Sequence, residues 1–362
     1  MPDDVLDTKL LEACLRLARR HQGLTAANPS VGTLLVQFDD HVPIIVGRGI
    51  TAFGGRPHAE RVAIDEAGEK ARGATAYVTL EPCAHHGATP PCAQALIDAG
   101  VARVVTAWTD PDQRVNGKGH AMLLEAGIEL SQARMEVVRR DLSAYLTRKS
   151  HNRPHVTLKL AVSADGKLGV AGKEVPVTGV LARSVVHRMR AQADAIAVGS
   201  GTLAADDPDL TCRLPGLETR SPRRFVLDGQ ASMAPTSRLA RTAMQVPTTL
   251  VTAQPVLPEA LTELGVTRLA AELHDGRIAL PEMLEDMAAD GVSSLMVEGG
   301  AAVAQSFLAS SLVDSLALFT APTVIGKEGL ASPVCLDTVP NEFRLERSLT
   351  LGHDQLDLFF KV

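Results

Sequence analysis

Three short segments of this 362-residue chain carry side chains able to do chemistry together: Pro57-His58-Ala59-Glu60, Glu81-Pro82-Cys83 and Pro90-Pro91-Cys92. One imidazole, two thiols and a carboxylate two residues from the imidazole are the parts of a zinc deaminase site. That chemistry needs three ligands, a fourth position for water, and a carboxylate that is not a ligand. Two thiolates cancel the formal charge of Zn2+, so water there is acidified less than beside three histidines and a separate base is useful. Glu60 is the candidate: it takes the proton of the attacking water, passes it to a ring nitrogen and later protonates departing ammonia. Eight residues, Ala84 to Pro91, separate the cysteines, where nucleobase deaminases usually carry two. This polar, proline-closed loop would shape a different substrate mouth. Blander readings stay open: His58 as a surface or capping residue, the cysteines as small buried hydrophobes, and a closed structural zinc site with His85 or His86 as fourth ligand, in which Glu60 would be dispensable. Asn28, ahead of Pro29, is a further candidate, since a loop asparagine both donates and accepts toward a heterocycle's edge; Asn-Pro is equally a turn signal.

The second half offers glycines at strand ends. Gly199-Ser200-Gly201-Thr202-Leu203-Ala204 has the G-x-G-x-x-A form of a dinucleotide fingerprint, but Asp206-Asp207-Pro208 interrupts its helix too early for a Rossmann crossover. Val297-Glu298-Gly299-Gly300 also ends a strand ahead of a helix, where glycines let backbone amides approach a phosphate. Tight turns explain both pairs equally well. Arg190 and Arg213 suit a phosphate clamp. Gly47-Arg48-Gly49-Ile50-Thr51-Ala52 matches the fingerprint pattern too, yet leads into Phe53-Gly54-Gly55-Arg56-Pro57 and is read as a decoy.

Hydrophobic periodicity supplies the elements that must hold these residues. A helix is expected over Lys9 to His21, strands at Val31 to Phe38 and Ile44 to Ile50, a helix at Ala59 to Lys70, a strand at Ala76 to Leu80, a helix at Cys92 to Ala99, a strand at Val101 to Ala107, and a last helix ending near Lys149. That order reads as a three-layer α/β domain. Ser150-His151-Asn152-Arg153-Pro154 breaks the pattern, giving domains 1–150 and 151–362. Alternation then restarts, with strands near His155 to Val162, Ala195 to Val198, Arg224 to Leu227, Thr248 to Thr252 and Ser294 to Val297. Helices are expected near Leu181 to Gln192, Leu280 to Ala289 and Ala302 to Ala309.

Composition narrows the function classes. Apolar residues make up 45% and charged residues 22%, as in ordinary globular proteins, and the net charge of −6 leaves no basic footprint for nucleic acid. No apolar run reaches membrane-spanning length, and Met1 to Thr8 is acidic where a secretion signal would be basic, so a cytoplasmic address is expected. Cys14, Cys83, Cys92, Cys212 and Cys335 are too scattered for a disulfide framework.

Asn28-Pro29-Ser30-Val31-Gly32, Pro57-His58-Ala59-Glu60 and the run from Thr79-Leu80-Glu81-Pro82-Cys83 through Ala84-His85-His86-Gly87-Ala88-Thr89 to Pro90-Pro91-Cys92 resemble the bifunctional deaminase-reductase family of riboflavin biosynthesis. The long loop between the cysteines, foreign to nucleobase deaminases, is characteristic of this family. Leu158 to Lys167, Gly201 to Pro208, Leu210 to Arg213 and Val297 to Gly300 are similar to its reductase domain. The resemblance implies a cytidine-deaminase-like domain followed by a dihydrofolate-reductase-like one. It also implies hydrolytic deamination of a diaminohydroxypyrimidine carrying phosphoribosylamine, then NADPH reduction of its ribose to a ribityl chain.

Residue by residue, it implies zinc at His58, Cys83 and Cys92, Glu60 as proton shuttle, Asn28 beside the base, and His86 and Thr89 near the ribose phosphate. In the reductase, Glu174, Arg190, Leu210, Arg213 and Glu298 would meet substrate. Lys159, Val162, Pro176, Thr202, Asp206 and the run Gly300, Ala301, Ala302, Val303, Ala304, Gln305 and Ser306 would meet NADPH. The chain departs from the family at Ala26-Ala27, at Glu174 and Pro176 in place of serine and tryptophan, at Val162 and Ala164, and at Gly229. Those departures motivate a second reading, a deaminase whose C-terminal domain has lost hydride transfer and serves assembly or substrate retention. The expected partner is a small pyrimidine ribosyl phosphate, and the expected assembly a homodimer through the C-terminal domain.

Overall fold

The computed structural model describes residues 4–85, 90–170 and 175–362. The chain forms two compact units, Met1–Asn152 and Arg153–Val362.

In the first unit the elements run α1 (Asp4–Ala18), β1 (Gly32–Asp39), β2 (Val42–Ile50), α2 (Ala59–Ala67), β3 (Thr75–Val78), α3 (Cys92–Asp98), β4 (Arg103–Thr106), α4 (Lys118–Glu125), β5 (Glu129–Gln132), α5 (Glu136–Asp141) and α6 (Ser143–His151). The sheet order is β2-β1-β3-β4-β5. β1 runs antiparallel to both β2 and β3, while β3, β4 and β5 run parallel. Leu11, Cys14, Leu15 and Ala18 recur at helical spacing and give α1 one buried stripe. α1 lies against Gly32 of β1, whereas α2 lies against Gly47 and Gly49, which pair with Leu35 and Thr33. Neighbouring positions on a strand face opposite ways, so α1 and α2 cover opposite faces and the unit has three layers. The pairing also sets the functional edge. The start of β1, the end of β2 and the ends of β3 and β4 lie at one side of the sheet, which gathers the loops bearing Asn28, His58, Cys83 and Asp110.

The second unit runs β6 (His155–Val162), β7 (Lys167–Val170), α7 (Val180–Gln192), β8 (Ala195–Gly199), α8 (Ser200–Asp206), β9 (Arg223–Leu227), α9 (Arg238–Arg241), β10 (Thr248–Thr252), α10 (Glu259–Glu263) and β11 (Thr267–Ala270). It continues with β12 (Leu273–His274), β13 (Arg277–Ile278), α11 (Leu280–Ala289), β14 (Ser294–Val297), α12 (Ala301–Ala309), β15 (Ser315–Thr320), β16 (Gly329–Ala331), β17 (Phe343–Leu351) and β18 (Asp354–Lys361). The main sheet has nine strands in the order β11-β10-β9-β8-β14-β6-β15-β18-β17. Its first seven strands are parallel, and β18 and β17 close it antiparallel. β8 and β10 are buried along their whole lengths, as parallel strands covered on both faces must be. The mixed nine-stranded sheet of the second unit and the three-layer first unit fit the dihydrofolate-reductase-like and cytidine-deaminase-like classes that the resemblance implies.

Periodicity located most elements of the first unit and five adjacent parallel strands of the second, but passed over β11, β15, β17 and β18 of its main sheet. Ser315-Leu316-Ala317-Leu318-Phe319-Thr320 is too short and too uniformly apolar to show a period. β17 alternates, but a register shift between Leu345 and Arg347 interrupts it.

Candidate functional site

β2 delivers the chain into the segment that presents His58, which caps α2 with extended backbone and puts Glu60 in the helix's first turn. β3 ends just before Cys83, and Cys92 opens α3. The ligand atoms of His58, Cys83 and Cys92 all lie within 4.8 Å of one another. His58 Nδ1 stands 3.4 Å from Cys92 Sγ and 3.7 Å from Cys83 Sγ. Two ligands at ordinary Zn–S and Zn–N lengths around a tetrahedral ion sit about 3.6 Å apart, so the donor set fits zinc. His85 does not join this group among the described residues, which removes the support for a closed site using it.

Hydrogen bonds and burial shape the protonation of these groups. The backbone N–H of Cys92 donates to Cys83 Sγ at 3.2 Å. Hydrogen bonding by the Cys92 thiol, helped by His58, holds the Cys83 thiol down at about 4, while the same contact and burial push Cys92 up. Burial, then the neighbouring Cys83 sulfur, push the Glu60 carboxyl up to about 7. A carboxyl in that range both takes and gives a proton near neutral pH. Asn28 is held by a turn, its N–H bonded to Thr25 O at 3.1 Å and its carbonyl accepting from Thr25 Oγ1 at 2.7 Å. Its side-chain amide donates to Gly55 O at 3.3 Å. Gly55 sits at φ +88°, and a Cβ there would lie 2.3 Å from Asn28 Nδ2, so only glycine lets the two loops meet. His86 and Thr89 lie outside the described residues.

One residue of this edge has a part that motif reading did not assign. Glu81 is buried, and its carboxylate accepts from the backbone N–H groups of Asp110, Gly117, Gly119 and His120 at 3.3, 3.0, 3.0 and 3.3 Å. It binds the loop after β4 and the start of α4 to the strand end that carries Cys83. The available signal was an acidic residue directly after the apolar run Ala76 to Leu80, which must find donors if it is buried.

In the second unit the parallel strands end around a cavity of about 760 Å³, where ligands bind in open α/β sheets. Lys159, Arg190, Thr202, Asp206, Leu210, Arg213 and Glu298 line it, as do Gly300, Ala301, Ala302 and Val303. Arg190 grips Glu298 through two bonds of 2.6 and 2.9 Å, and Lys159 Nζ lies 3.9 Å from the same carboxylate. Burial alone would raise the Glu298 carboxyl, but Arg190 and Lys159 outweigh it and hold the group low. Burial lowers the Lys159 ammonium below the usual range. Thr202 Oγ1 accepts the Gly300 N–H at 3.0 Å, joining the two glycine-bearing strand ends. α8 stops at Asp207 with left-handed φ, too short for a Rossmann crossover.

The structure sets five of the expected NADPH residues apart from this cavity's lining. Val162 and Ala304 face the hydrophobic core, and Ser306 Oγ turns back to Ala302 O, because only one stripe of α12 faces the cavity. Gln305 and Pro176 are exposed. Glu174 lies outside the described residues, and Gly47 to Ile50 belong to β2, so the decoy pattern opens no helix.

Fold and sites together define a two-domain α/β enzyme, a zinc-dependent hydrolase unit followed by a nucleotide-dependent reductase unit. Residues 5–108 match the cytidine and deoxycytidylate deaminase zinc-binding region, and residues 154–356 match the RibD C-terminal domain. The chain belongs to the RibD family of riboflavin biosynthesis proteins. It is 40% identical over 337 residues to riboflavin biosynthesis protein RibD of Haemophilus influenzae, covering 88% of this chain and 87% of that one. With the Aquifex aeolicus RibD it shares 36% identity, covering 98% of both. Acinetobacter baumannii RibD superposes with a TM-score of 0.86 at 32% identity, over 99% of this chain and 100% of that one. The Thermotoga maritima diaminohydroxyphosphoribosylaminopyrimidine deaminase/5-amino-6-(5-phosphoribosylamino)uracil reductase superposes with a TM-score of 0.86 at 28% identity, over 99% of both chains. The protein is thus a bifunctional deaminase and reductase, a hydrolase and an oxidoreductase, with zinc and NADPH as cofactors. The reading in which the C-terminal domain has lost hydride transfer is not favoured. No helix among the described residues is long and apolar enough to cross a membrane.

Proposed function

We propose that the first unit deaminates 2,5-diamino-6-(5-phosphoribosylamino)pyrimidin-4-one and that the second reduces the ribosyl group of the product to ribityl phosphate. The observation that carries this is the convergence of His58, Cys83 and Cys92 within 4.8 Å, beside the buried carboxyl of Glu60. His58, Cys83 and Cys92 hold zinc, which when bound supplies Lewis acidity and a place for water. Glu60 takes a proton from the attacking water and gives it to the ring nitrogen beside the amino-bearing carbon. It then takes the second proton, from the hydroxyl now on that carbon, and gives it to the amino group, so that ammonia leaves and a ring carbonyl remains. Asn28 holds the edge of the base, and His86 and Thr89 are the residues assigned to the ribose phosphate.

In the second unit Arg190, Leu210, Arg213, Glu298 and Glu174 bind substrate. Thr202, Asp206 and the segment from Gly300 to Val303 receive NADPH, with Lys159; the cofactor supplies hydride. Reduction also consumes a proton, and Lys159, with its ammonium lowered by burial, suits a group that holds and gives one. A cytoplasmic homodimer through the C-terminal domain accompanies this reading. Bacterial biosynthetic relatives support the address, and the edge strand β17, with Leu345 exposed, supports the assembly.

Product mass tests the proposal. Incubation of zinc-loaded protein with the diaminopyrimidine ribosyl phosphate exchanges an amino group for oxygen without NADPH, and adds two hydrogens only with it. Absence of the first change overturns the deaminase assignment; absence of the second overturns the reductase assignment.

A further inference from the structure

α6 contributes none of the residues assigned above, yet two of its side chains reach two walls of the deaminase site. Tyr145 and Arg148 are three residues apart and so share a face of the helix. The Tyr145 hydroxyl donates to the buried Asp110 carboxylate, at 3.1 and 3.0 Å from its two oxygens. The backbone N–H of Asp110 donates to Glu81 Oε2, and Glu81 N–H donates to Trp108 O at 2.9 Å. Glu81 lies two residues before Cys83. Arg148 Nη1 donates to the carbonyl of Ala27 at 3.2 Å, directly before Asn28. Because Asn28 is locked to Thr25 by two bonds, a shift of the Ala27 carbonyl carries the Asn28 side chain with it. Contacts of Lys149 in α6 and of Asp141, the last residue of α5, hold this stretch of the chain in place. Lys149 Nζ pairs with Asp112 at 2.9 Å, and the preceding Asp141 is gripped by Arg19.

We infer that Arg148 and Tyr145 are positioning residues of the deamination reaction: Arg148 sets the loop that presents Asn28, and Tyr145 sets, through Asp110 and Glu81, the loop that presents Cys83. Arg148 acts one link away from Asn28, and Tyr145 acts through two links, Asp110 and Glu81, on the loop of Cys83. This rests on the assignment of Asn28 to the base and of Cys83 to zinc. Two distinct signatures follow, because the loops are distinct: the Arg148 side governs substrate affinity and the Tyr145 side governs metal retention.

The test uses the full zinc-loaded chain with Arg148→Ala, Arg148→Lys, Tyr145→Phe and, as a control, Asn28→Ala. Arg148→Ala raises KM for the diaminopyrimidine about tenfold with kcat within about twofold, the size expected when a supporting contact is lost. Zinc stays bound, backbone amides of residues 25–28 exchange faster than in the parent, and Arg148→Lys, which keeps a donor, restores most of the affinity. Tyr145→Phe leaves KM unchanged and releases zinc to a competing chelator about tenfold faster. An unchanged KM and unchanged exchange in Arg148→Ala, or unchanged zinc release in Tyr145→Phe, overturns the inference. Should Arg148→Ala not fold, Arg148→Gln is read by the same criteria. If Asn28→Ala leaves KM unaltered, the assignment of Asn28 falls instead, and amide exchange at residues 25–28 still decides whether Arg148 positions that loop.

Discussion

Glu60 shows how a residue's surroundings set its chemistry. An ordinary glutamate is fully ionised at neutral pH, but this one is buried beside sulfur, and its carboxyl is pushed up to about 7. That matches the task of accepting one proton and giving another within a turnover. Glu60→Gln keeps the shape and removes the proton traffic. Ammonia release should fall about a thousandfold, with zinc content unchanged and NADPH oxidation on the deaminated pyrimidine unaffected. Ammonia assay and metal analysis on one sample check this, and full activity would return the centre to a structural role. The zinc donors and Glu60 could be read from spacing because His58 and Glu60 share one helix start and each cysteine is flanked by proline. Glu81 could not, since its worth lies in four amides from residues 110–120, far along the chain.

At the scale of elements, the deaminase edge depends on close backbone approach. Gly119, in the first turn of α4, passes Pro82 so closely that a Cβ would lie 2.0 Å from the Pro82 carbonyl oxygen. Both contacting groups are backbone, so neither can swing aside. Gly119→Ala therefore forces α4 off the strand end, weakens the Glu81 clasp and displaces Cys83. The expected cost is on the order of 3 kcal/mol, seen as a lower thermal midpoint together with zinc lost more readily. An unchanged midpoint would mean that α4 adjusts freely and the clasp is not tight. Hydrophobic periodicity foretold the helix and strand that carry His58 and Cys83, because one buried face leaves a regular trace. It could not foretell that α4 touches the segment after β3, since Gly119 carries no side chain to signal the contact with Pro82. A related limit explains why three of the five expected NADPH residues that lie apart from the cavity's lining, Ala304, Gln305 and Ser306, do so: a consecutive run on α12 presents only part of itself to one side.

For the whole molecule, two reactions reside on two compact units with separate cores. Removing zinc with a chelator should therefore stop ammonia release while leaving NADPH oxidation on the deaminated pyrimidine intact, and added zinc should restore the first activity. Parallel assays of the two half-reactions on metal-free protein check this; loss of both together would show that the reductase depends on the metal. The sequence by itself determined the chemistry of the first unit and the class of both units, because ligand type, proline-bracketed spacing and hydrophobic period are local properties. Tertiary structure alone decided how distant groups meet: Glu298 against Arg190 and Lys159, Glu81 against the amides of α4, and α6 against the loops of Asn28 and Cys83. Those contacts arise where strand ends are brought to one edge of a sheet. Strand order and register, which place them there, are set by packing across the whole domain and leave no mark in any short stretch of sequence.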